Sequence, residues 1–370
     1  MKSPKVALVH DWLTGRRGGE KVLEVFAEIY PDAPIYTLFH FPGSQIPDIE
    51  QKRIESSFVK NLPFLEKRYR FYLPLFPIAI ELFDLQEYDF IISSSHCVAK
   101  GAIPRPDALH VCYVHSPMRY AWNQYASYFS PEMLGFFSRK IIPPIIHRLR
   151  IWDESSSHRV DYFVANAKAV ADRIHRYYRR LADVIYPPVD TDFFGPGEVQ
   201  EDYFLIVSAL VPYKRIDLAV EAFNRTGQRL RIVGQGPEYQ KLKRRAKSNI
   251  EFLGGISSEE LRQLYQKSRA LIMPGEEDFG INSLESQACG IPVIAIGRGG
   301  AKETVLQGET GVLYEESGIE GLSAALDKFE GMAFNKTTIR ANAIKFSRDS
   351  FKKEISSYFQ RKWAEHESLL

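Results

Sequence analysis

One rhythm appears twice along this chain: a short apolar β-branched run, a turn, then a stretch with apolar residues at helical spacing. In the first half "KVALVH" leads through the Gly-rich "GRRGGE" into "KVLEVFAEIY", which predicts strand, glycine loop and helix. Further strand candidates are "DFIISSS" (89–95), "HVCYVHS" (110–116), "DYFVANA" (161–167) and "DVIYPPV" (183–189). Several are near-continuous apolar runs, as expected where helices cover both faces of a parallel sheet. The stretch "PPVDTDFFGPGEVQ" (187–200) then breaks the pattern with prolines and glycines and reads as an interdomain linker. After it the alternation restarts with "YFLIVSAL", "RIDLAVEAFN", "LRIVGQGP" and "EYQKLKRRAK", and continues to "PVIAIGRGG". Alternation in both halves predicts an α/β chain of two doubly wound, Rossmann-like domains, and 370 residues suffice for two. Ligands of such sheets lie beyond the carboxyl ends of the strands, so two domains facing each other would enclose a cleft.

Composition excludes some classes of function. With 48 basic and 46 acidic residues the net charge is only +2, which argues against a nucleic-acid partner. Cys97, Cys112 and Cys289 form no Cys-x-x-Cys pair and read as buried thiols in a reducing cytosol. The opening "MKSPKVALVHDW" has only "VALV" before His10 and Asp11, too short for the roughly 7–15 apolar residues of a secretion signal. No stretch reaches the roughly 18 apolar residues of a membrane span, so a cytoplasmic location is expected. No Gly-x-Ser-x-Gly, Walker loop or His-Glu-x-x-His occurs, which leaves hydrolase and triphosphatase chemistry without a motif.

The chemistry concentrates in "PGEEDFGINSLESQACG" (274–290). "ALIMPG" predicts a strand and "NSLESQAC" a helix from about Asn282, so Glu277 to Ile281 fall on the connecting loop. Free backbone N–H groups and the dipole at that helix start favour an anion such as a phosphate. Glu285, read in the first helical turn, would accept two hydrogen bonds from a diol such as a ribose, and Glu277 would hold hydroxyls of a second sugar. Alternatively Glu285 only complements the dipole and Glu277 is solvated. In "SALVPYKRIDLAVEAF" (208–223) Lys214 and Arg215 lie between a strand and a helix. Two cations there would neutralise a diphosphate, or would be ordinary surface charges. Gly234 belongs to a lone Gly-x-Gly at a strand end, lacking the third glycine of the dinucleotide fingerprint. His96 and His115 sit at strand ends of the first domain, as structural or ligand-facing residues. Asp190 and Asp192 match the Asp-x-Asp of metal-dependent transferases, but they lie in the linker, and no metal site is expected.

Taken together, these segments resemble a known family. Glu277, Phe279, Gly280 and Glu285, followed by "GIPV", resemble the E-x7-E motif of retaining GT-B glycosyltransferases. "VSALVPYKRIDLAVEAF", "IVGQGPE", "IEFLGGIS" and "GETGVLY" stand in the order of family 4, which includes bacterial mannosyltransferases of polysaccharide assembly. "HDWLTGRRGGEKVLE", "SSSHCVAKG", "YVHSPMRYAW" and "VIYPPVDTDFF" are similar to its branch acting on lipid-linked sugars in O-antigen and exopolysaccharide synthesis. Residues 41–85 carry the resemblance least.

The resemblance implies a division of labour: residues 1–192 bind acceptor, 200–348 bind a nucleotide sugar, and a helix within 349–370 crosses back to the first domain. It makes His115, Glu277 and Lys214 catalytic. Arg215, Gly234, Phe279, Gly280, Ile281, Asn282, Ser283 and Glu285 would bind the donor, with Glu285 on the ribose and Lys214 on the diphosphate. Gly18, Gly19, Glu20, His96, Lys100 and Tyr120 would serve the acceptor side, the two glycines forming a loop that closes over donor phosphate and acceptor. Neither metal nor other cofactor is implied, since fixed amides and Lys214 would stabilise the departing diphosphate. One position departs from the pattern: many relatives have an arginine five residues before the lysine, and here it is Ala209. Either Arg215 supplies that charge or the leaving group is held more weakly.

The implied function is hexose transfer, mannose from GDP-mannose first, to a polyprenyl-diphosphate-linked or oligosaccharide acceptor. UDP-glucose or a deoxyhexose donor is the nearest alternative. A UDP-N-acetylglucosamine 2-epimerase and a non-catalytic sugar-nucleotide-binding module are the rivals from other classes. In "FVKNLPFLEKRYRFYLPLFPIAIELF" (58–83) and "SRKIIPPIIHRLRIW" (138–152) basic residues alternate with aromatic and aliphatic ones. That mixture suits an anionic bilayer surface and a polyprenyl chain, or else core helices with basic outer faces. The proline pairs predict that neither segment is a long regular helix.

Overall fold

The computed structural model describes residues 4–129 and 136–370, with the side chains of residues 127, 128 and 136–138 outside the description. The chain divides into two units, Met1–Pro187 with Phe351–Leu370, and Pro188–Ser350.

The first unit holds a parallel seven-stranded sheet: β1 (Val6–His10), β2 (Ile35–Thr37), β3 (Ile54–Ser56), β4 (Phe90–Ser95), β5 (Leu109–Val114), β6 (Tyr162–Ala165) and β7 (Ala182–Val184). Their order is β3-β2-β1-β4-β5-β6-β7. Alternate side chains of β1 enter different cores, Val6 and Leu8 on one face, Ala7 and Val9 on the other. Burial on both faces explains why the strands read as continuous apolar runs rather than alternating ones. Two helices frame the sheet's chemistry, α1 (Gly18–Ile29) and α2 (Phe136–Ser156).

α2 overturns the expectation drawn from its prolines. Pro143 and Pro144 lie inside a continuous helix of 21 residues. Both prolines face solvent, while Ile146 and Leu149 are buried in the core with Val9 and Phe76. Tertiary burial of that stripe outweighs the two lost backbone donors.

The second unit has a parallel six-stranded sheet: β8 (Phe204–Val207), β9 (Leu230–Val233), β10 (Ile250–Gly254), β11 (Leu271–Met273), β12 (Val293–Ile296) and β13 (Gly311–Tyr314). The order is β10-β9-β8-β11-β12-β13. Its relevant helices are α3 (Ile216–Thr226), α4 (Ser258–Lys267) and α5 (Ile281–Ala288). The Ser257–Glu260 capping box closes the start of α4, with Glu260 N–H donating to the Ser257 hydroxyl at 3.2 Å.

The division falls earlier than the expected boundary at 192. Val189 N–H donates to the Phe346 carbonyl at 2.9 Å, and Arg340 donates to the carbonyls of Thr191 and Phe194 at 3.1 and 3.0 Å. These bonds fasten the stretch read as a free linker onto the second unit. The last helix, α6 (Arg348–Glu367), spans the division at Ser350. Its Phe351, Ile355 and Phe359 are buried in the first unit's core beside Phe26, Phe90 and Tyr113.

Candidate functional site

Each sheet has one place where consecutive connections leave in opposite directions, and crevices open there at the strand carboxyl ends. In the second unit that place is between β8 and β11. A small pocket lies there, lined by Val207, Ser208, Lys214, Gly275, Glu277 and Asn282 among others. Sequence reading put Lys214 and Glu277 on separate loops; the fold joins them in an ion pair. Lys214 is 9% exposed, so its ammonium is held at the pocket rather than free in solvent. Gly275 permits the approach, because a Cβ there would stand 2.5 Å from the Lys214 carbonyl oxygen.

The loop carrying Glu277 is clamped from a direction the sequence did not reveal. Gly300 N–H donates to the Glu277 carbonyl at 2.9 Å, and a Cβ on Gly300 would overlap the Phe279 backbone at 2.3 Å. "RGG" (298–300) therefore packs backbone on backbone against the motif. Arg298 is exposed and carries no ion pair among the described residues.

The remaining donor-side candidates divide. Gly280 caps α5 in a left-handed conformation, φ +81°. The helix begins at Ile281, so Glu285 falls just past the first turn, not within it. Glu285 is 5% exposed, and its carboxylate accepts from the Tyr265 hydroxyl of α4 at 3.3 Å. Tyr265 was invisible as a partner because it is distant in sequence. Asn282 lines the pocket and spends its Nδ2 on the Val207 carbonyl at 2.6 Å. Phe279 is buried at 4% exposure and its ring lies 5.9 Å from that of Phe346. Ser283 is fully buried, its Oγ 2.8 Å from both Gly280 O and Thr304 Oγ1. Gly234 has a steric reason for being glycine, since at φ +136° a Cβ would meet the Ser208 carbonyl oxygen at 1.8 Å. Arg215 is spent on Asp217, with two contacts of 3.1 and 3.2 Å. Of the two alternatives for Ala209, the one that uses Arg215 meets a guanidinium already paired with a carboxylate.

In the first unit the corresponding place is between β1 and β4. His10 ends β1 and Asp11 follows it, Ser95 ends β4 and His96 follows it, and His115 follows β5. Asp11 is fully buried and collects four backbone donors: His96 and Cys97 at 2.6 and 2.9 Å on Oδ2, Val98 and Ala99 at 2.6 and 2.8 Å on Oδ1. His96 Nδ1 adds a contact of 2.9 Å to Oδ2. Burial alone would raise this carboxyl; the His96 charge and hydrogen bond, with His10 and the backbone donors, hold it well below the usual range. His115 Nε2 lies 2.8 Å from Ser94 Oγ, and burial lowers its pKa to about 3. Burial likewise lowers His10 to about 4, so both rings are neutral at pH 7.

Three acceptor-side expectations change. Gly18 and Gly19 are not a loop but the first two residues of α1, whose third helical position, Glu20, accepts from the Arg17 N–H at 3.1 Å. Gly19 faces the histidines, a Cβ there lying 3.5 Å from both His10 Cε1 and His115 Nε2. Lys100 faces no ligand: at 2% exposure it donates to Asp153 O and Ser156 Oγ at 2.6 and 2.7 Å and pairs with the Asp153 carboxylate. Tyr120 turns its hydroxyl onto Cys97 Sγ at 2.8 Å. Asp190 Oδ1 accepts from Phe193 N–H at 3.0 Å. Among the described residues no group of three His, Cys, Asp or Glu side chains is placed to hold a metal. Nor is any described helix long and apolar enough to cross a membrane.

Comparison with known proteins agrees with this architecture. Residues 35–193 match the model of Glycosyltransferase Family 4, and residues 189–346 match that of Glycosyl transferases group 1. A GDP-mannose-dependent α-(1-6)-phosphatidylinositol monomannoside mannosyltransferase of Mycolicibacterium smegmatis is 34% identical over 170 residues, 38% of this chain and 44% of that protein. An uncharacterized glycosyltransferase of Methanocaldococcus jannaschii is 28% identical over 193 residues, 51% of this chain and 55% of that protein. The chain spans about half the length of the curated relatives it matches. Among solved structures, Anabaena HepE in complex with UDP and glucose superposes with a TM-score of 0.71 at 17% identity, covering 97% of this chain and 100% of that one. The fold is GT-B, and each unit is matched over most of its length by a glycosyltransferase domain model.

Proposed function

We propose that this chain, with glycosyltransferase domains in both of its units, transfers a hexose from a nucleotide diphosphate with retention of anomeric configuration. The observation that carries this is the Lys214–Glu277 ion pair at the β8/β11 crevice. A cation suited to phosphate and a carboxylate suited to hydroxyls are in contact, so a ligand engaging both has its sugar joined directly to its phosphate. That is the chemistry of a glycosyl diphosphate. As the glycosidic bond breaks, Lys214 and the first amides of α5 stabilise the departing dianion. Glu285, beside Tyr265, receives the ribose. Arg298, unpaired on the loop that clamps Glu277, offers the second positive charge that Ala209 cannot.

Mannose from GDP-mannose is the first choice of donor, supported by the Mycolicibacterium relative's name. UDP-glucose is the second, supported by the complexes of HepE with UDP, glucose and UDP-glucose. The acceptor is a lipid-linked or oligosaccharide chain of cell-surface polysaccharide synthesis, met at the cytoplasmic face of the membrane. Exposed Phe64, Phe71 and Leu82, at 73%, 80% and 67%, stand among exposed Lys60, Lys67, Arg68 and Arg70 in the first unit and suit an anionic bilayer. Calorimetric titration tests the donor site. Glu277→Gln removes the partner of Lys214 as well, so the readout is a ratio: the sugar nucleotide should weaken roughly 10- to 150-fold relative to free GDP or UDP, the worth of a charged hydrogen bond. Equal weakening of both would remove Glu277 from the hexose.

A further inference from the structure

Behind the Glu277 loop the second unit buries a run of polar side chains. Ser283 and Gln287 belong to α5, Thr304 ends the short helix Ala301–Thr304, and Asn342 lies on the helix Lys336–Ile344. Asn342 Nδ2 donates to the Thr304 carbonyl at 3.0 Å and to Gln287 Oε1 at 2.8 Å. Gln287 Nε2 donates to the same Thr304 carbonyl at 2.8 Å. Thr304 passes this hold forward, since its N–H and its hydroxyl both donate to the Gly300 carbonyl, at 3.0 and 3.1 Å. Gly300 in turn donates its N–H to the Glu277 carbonyl at 2.9 Å, and Gly299 is bridged to Glu277 as in a parallel strand pair. Ser283 Oγ, 2.8 Å from Thr304 Oγ1, ties the same hydroxyl to the first turn of α5. The run therefore joins two parts that would each hold one end of a sugar diphosphate, the loop of Glu277 and the amides at the start of α5.

Stability alone does not call for this arrangement. Valine has the shape of threonine without a hydroxyl to desolvate, and apolar groups of like shape replace paired buried polar groups at little cost. A buried network in which every member is paired instead fixes one geometry. Here it fixes the place of Gly300 and, through it, the backbone of Glu277, whose carboxylate meets Lys214 at the pocket. We propose that Thr304 is a positioning residue for the donor hexose: its hydroxyl, backed by Asn342 and Gln287, sets the distance between the Glu277 carboxylate and the α5 amides. This rests on the donor reading above. Fully buried, Thr304 acts only through Gly300. A free nucleotide needs α5, Lys214 and Glu285, whereas a sugar nucleotide also needs the Glu277 loop at the right distance from them. The signature of Thr304 is thus a loss that falls on the hexose-bearing ligand.

The test uses the whole chain and calorimetric titration with two ligand pairs, GDP-mannose with GDP and UDP-glucose with UDP. The readout is the ratio of the two Kd values within a pair, which a fall in stability alone does not move. Thr304→Val should weaken the sugar nucleotide about 3- to 10-fold relative to the free nucleotide, the worth of one neutral hydrogen bond. Thr304→Ser keeps the hydroxyl and loses a methyl group, so it should melt lower and yet return the ratio to within about 1.5-fold of wild type. Asn342→Leu withdraws a donor from the Thr304 carbonyl and should move the ratio in the same direction as Thr304→Val. A folded Thr304→Val or Asn342→Leu protein whose ratio stays within about 1.5-fold of wild type overturns the proposal. So does a Thr304→Ser protein whose ratio moves as far as that of Thr304→Val. If Glu277→Gln shifts the ratio and these variants do not, the donor reading stands and only this inference fails. A wild-type protein that binds neither sugar nucleotide counts against the donor reading itself, and the proposal falls with it.

Discussion

Replacing Asp11 by asparagine keeps the shape of the side chain and removes one acceptor oxygen. Whichever way the amide turns, at least two backbone N–H groups among His96, Cys97, Val98 and Ala99 face an NH2 group instead of an oxygen. A buried donor left without a partner costs about 1–3 kcal/mol, so two cost about 2–6 kcal/mol. For a unit of this size that lowers Tm by roughly 4–24 °C. The pH dependence has a definite sign. Asp11 is held below its unfolded value of about 3.9, so its ionised form stabilises the fold above that pH. That contribution is lost as pH falls, and the gap between wild type and Asp11→Asn should be full at pH 7 and narrow below about pH 4. Melting curves by circular dichroism at about pH 7, 5 and 3.5 read both quantities. A variant within about 0.5 kcal/mol of wild type at pH 7 would refute the reasoning, because an ordinary surface substitution does no more. So would a gap that stays constant into acid.

Three further outcomes follow from particular contacts. Lys100→Met should cost about 3–5 kcal/mol by stranding Asp153, visible as a large fall in Tm; a variant that melts normally but loses acceptor affinity would restore Lys100 to the acceptor side. Gly234→Ala should cost at least about 2 kcal/mol through its positive φ and its clash with Ser208, and a wild-type melt would show that this loop is not held as described. Phe64→Ser with Phe71→Ser should leave Tm unchanged and weaken binding to phosphatidylglycerol vesicles by about tenfold or more, given about 1.5–3 kcal/mol for each fully buried ring. Unchanged vesicle binding would remove this patch from the membrane.

The parts of this fold carried by periodicity were legible in the sequence. Most strands of both sheets, their alternation with helices and the place of the Glu277 loop follow from apolar runs that are local by nature, whereas the short β2, β3 and β13, of three or four residues, were not read as strands. What escaped depends on long-range contact. The resemblance put Lys100 on the acceptor side, and only the fold delivers Asp153 and Ser156 to its ammonium. Ser283 stood inside the donor motif, yet Thr304, 21 residues on, takes its hydroxyl. Asp11 drew notice only as the residue that ended an apolar run, because its partners lie 85 to 88 residues away. The helix through Pro143 and Pro144 shows the reverse case, where local propensity spoke against an element that tertiary burial maintains.

The most direct test of the central claim, a nucleotide-sugar site in the second unit, is a thermal-shift series with GDP, UDP, dTDP and ADP on wild type and Glu285→Gln. A nucleotide bound only by the folded state, at about 100 times its Kd, adds roughly 2.7 kcal/mol. The account predicts that one of the four raises the wild-type Tm and that Glu285→Gln loses most of that response relative to its own ligand-free melt. A series in which no nucleotide shifts the wild type, or in which the variant responds equally, contradicts it.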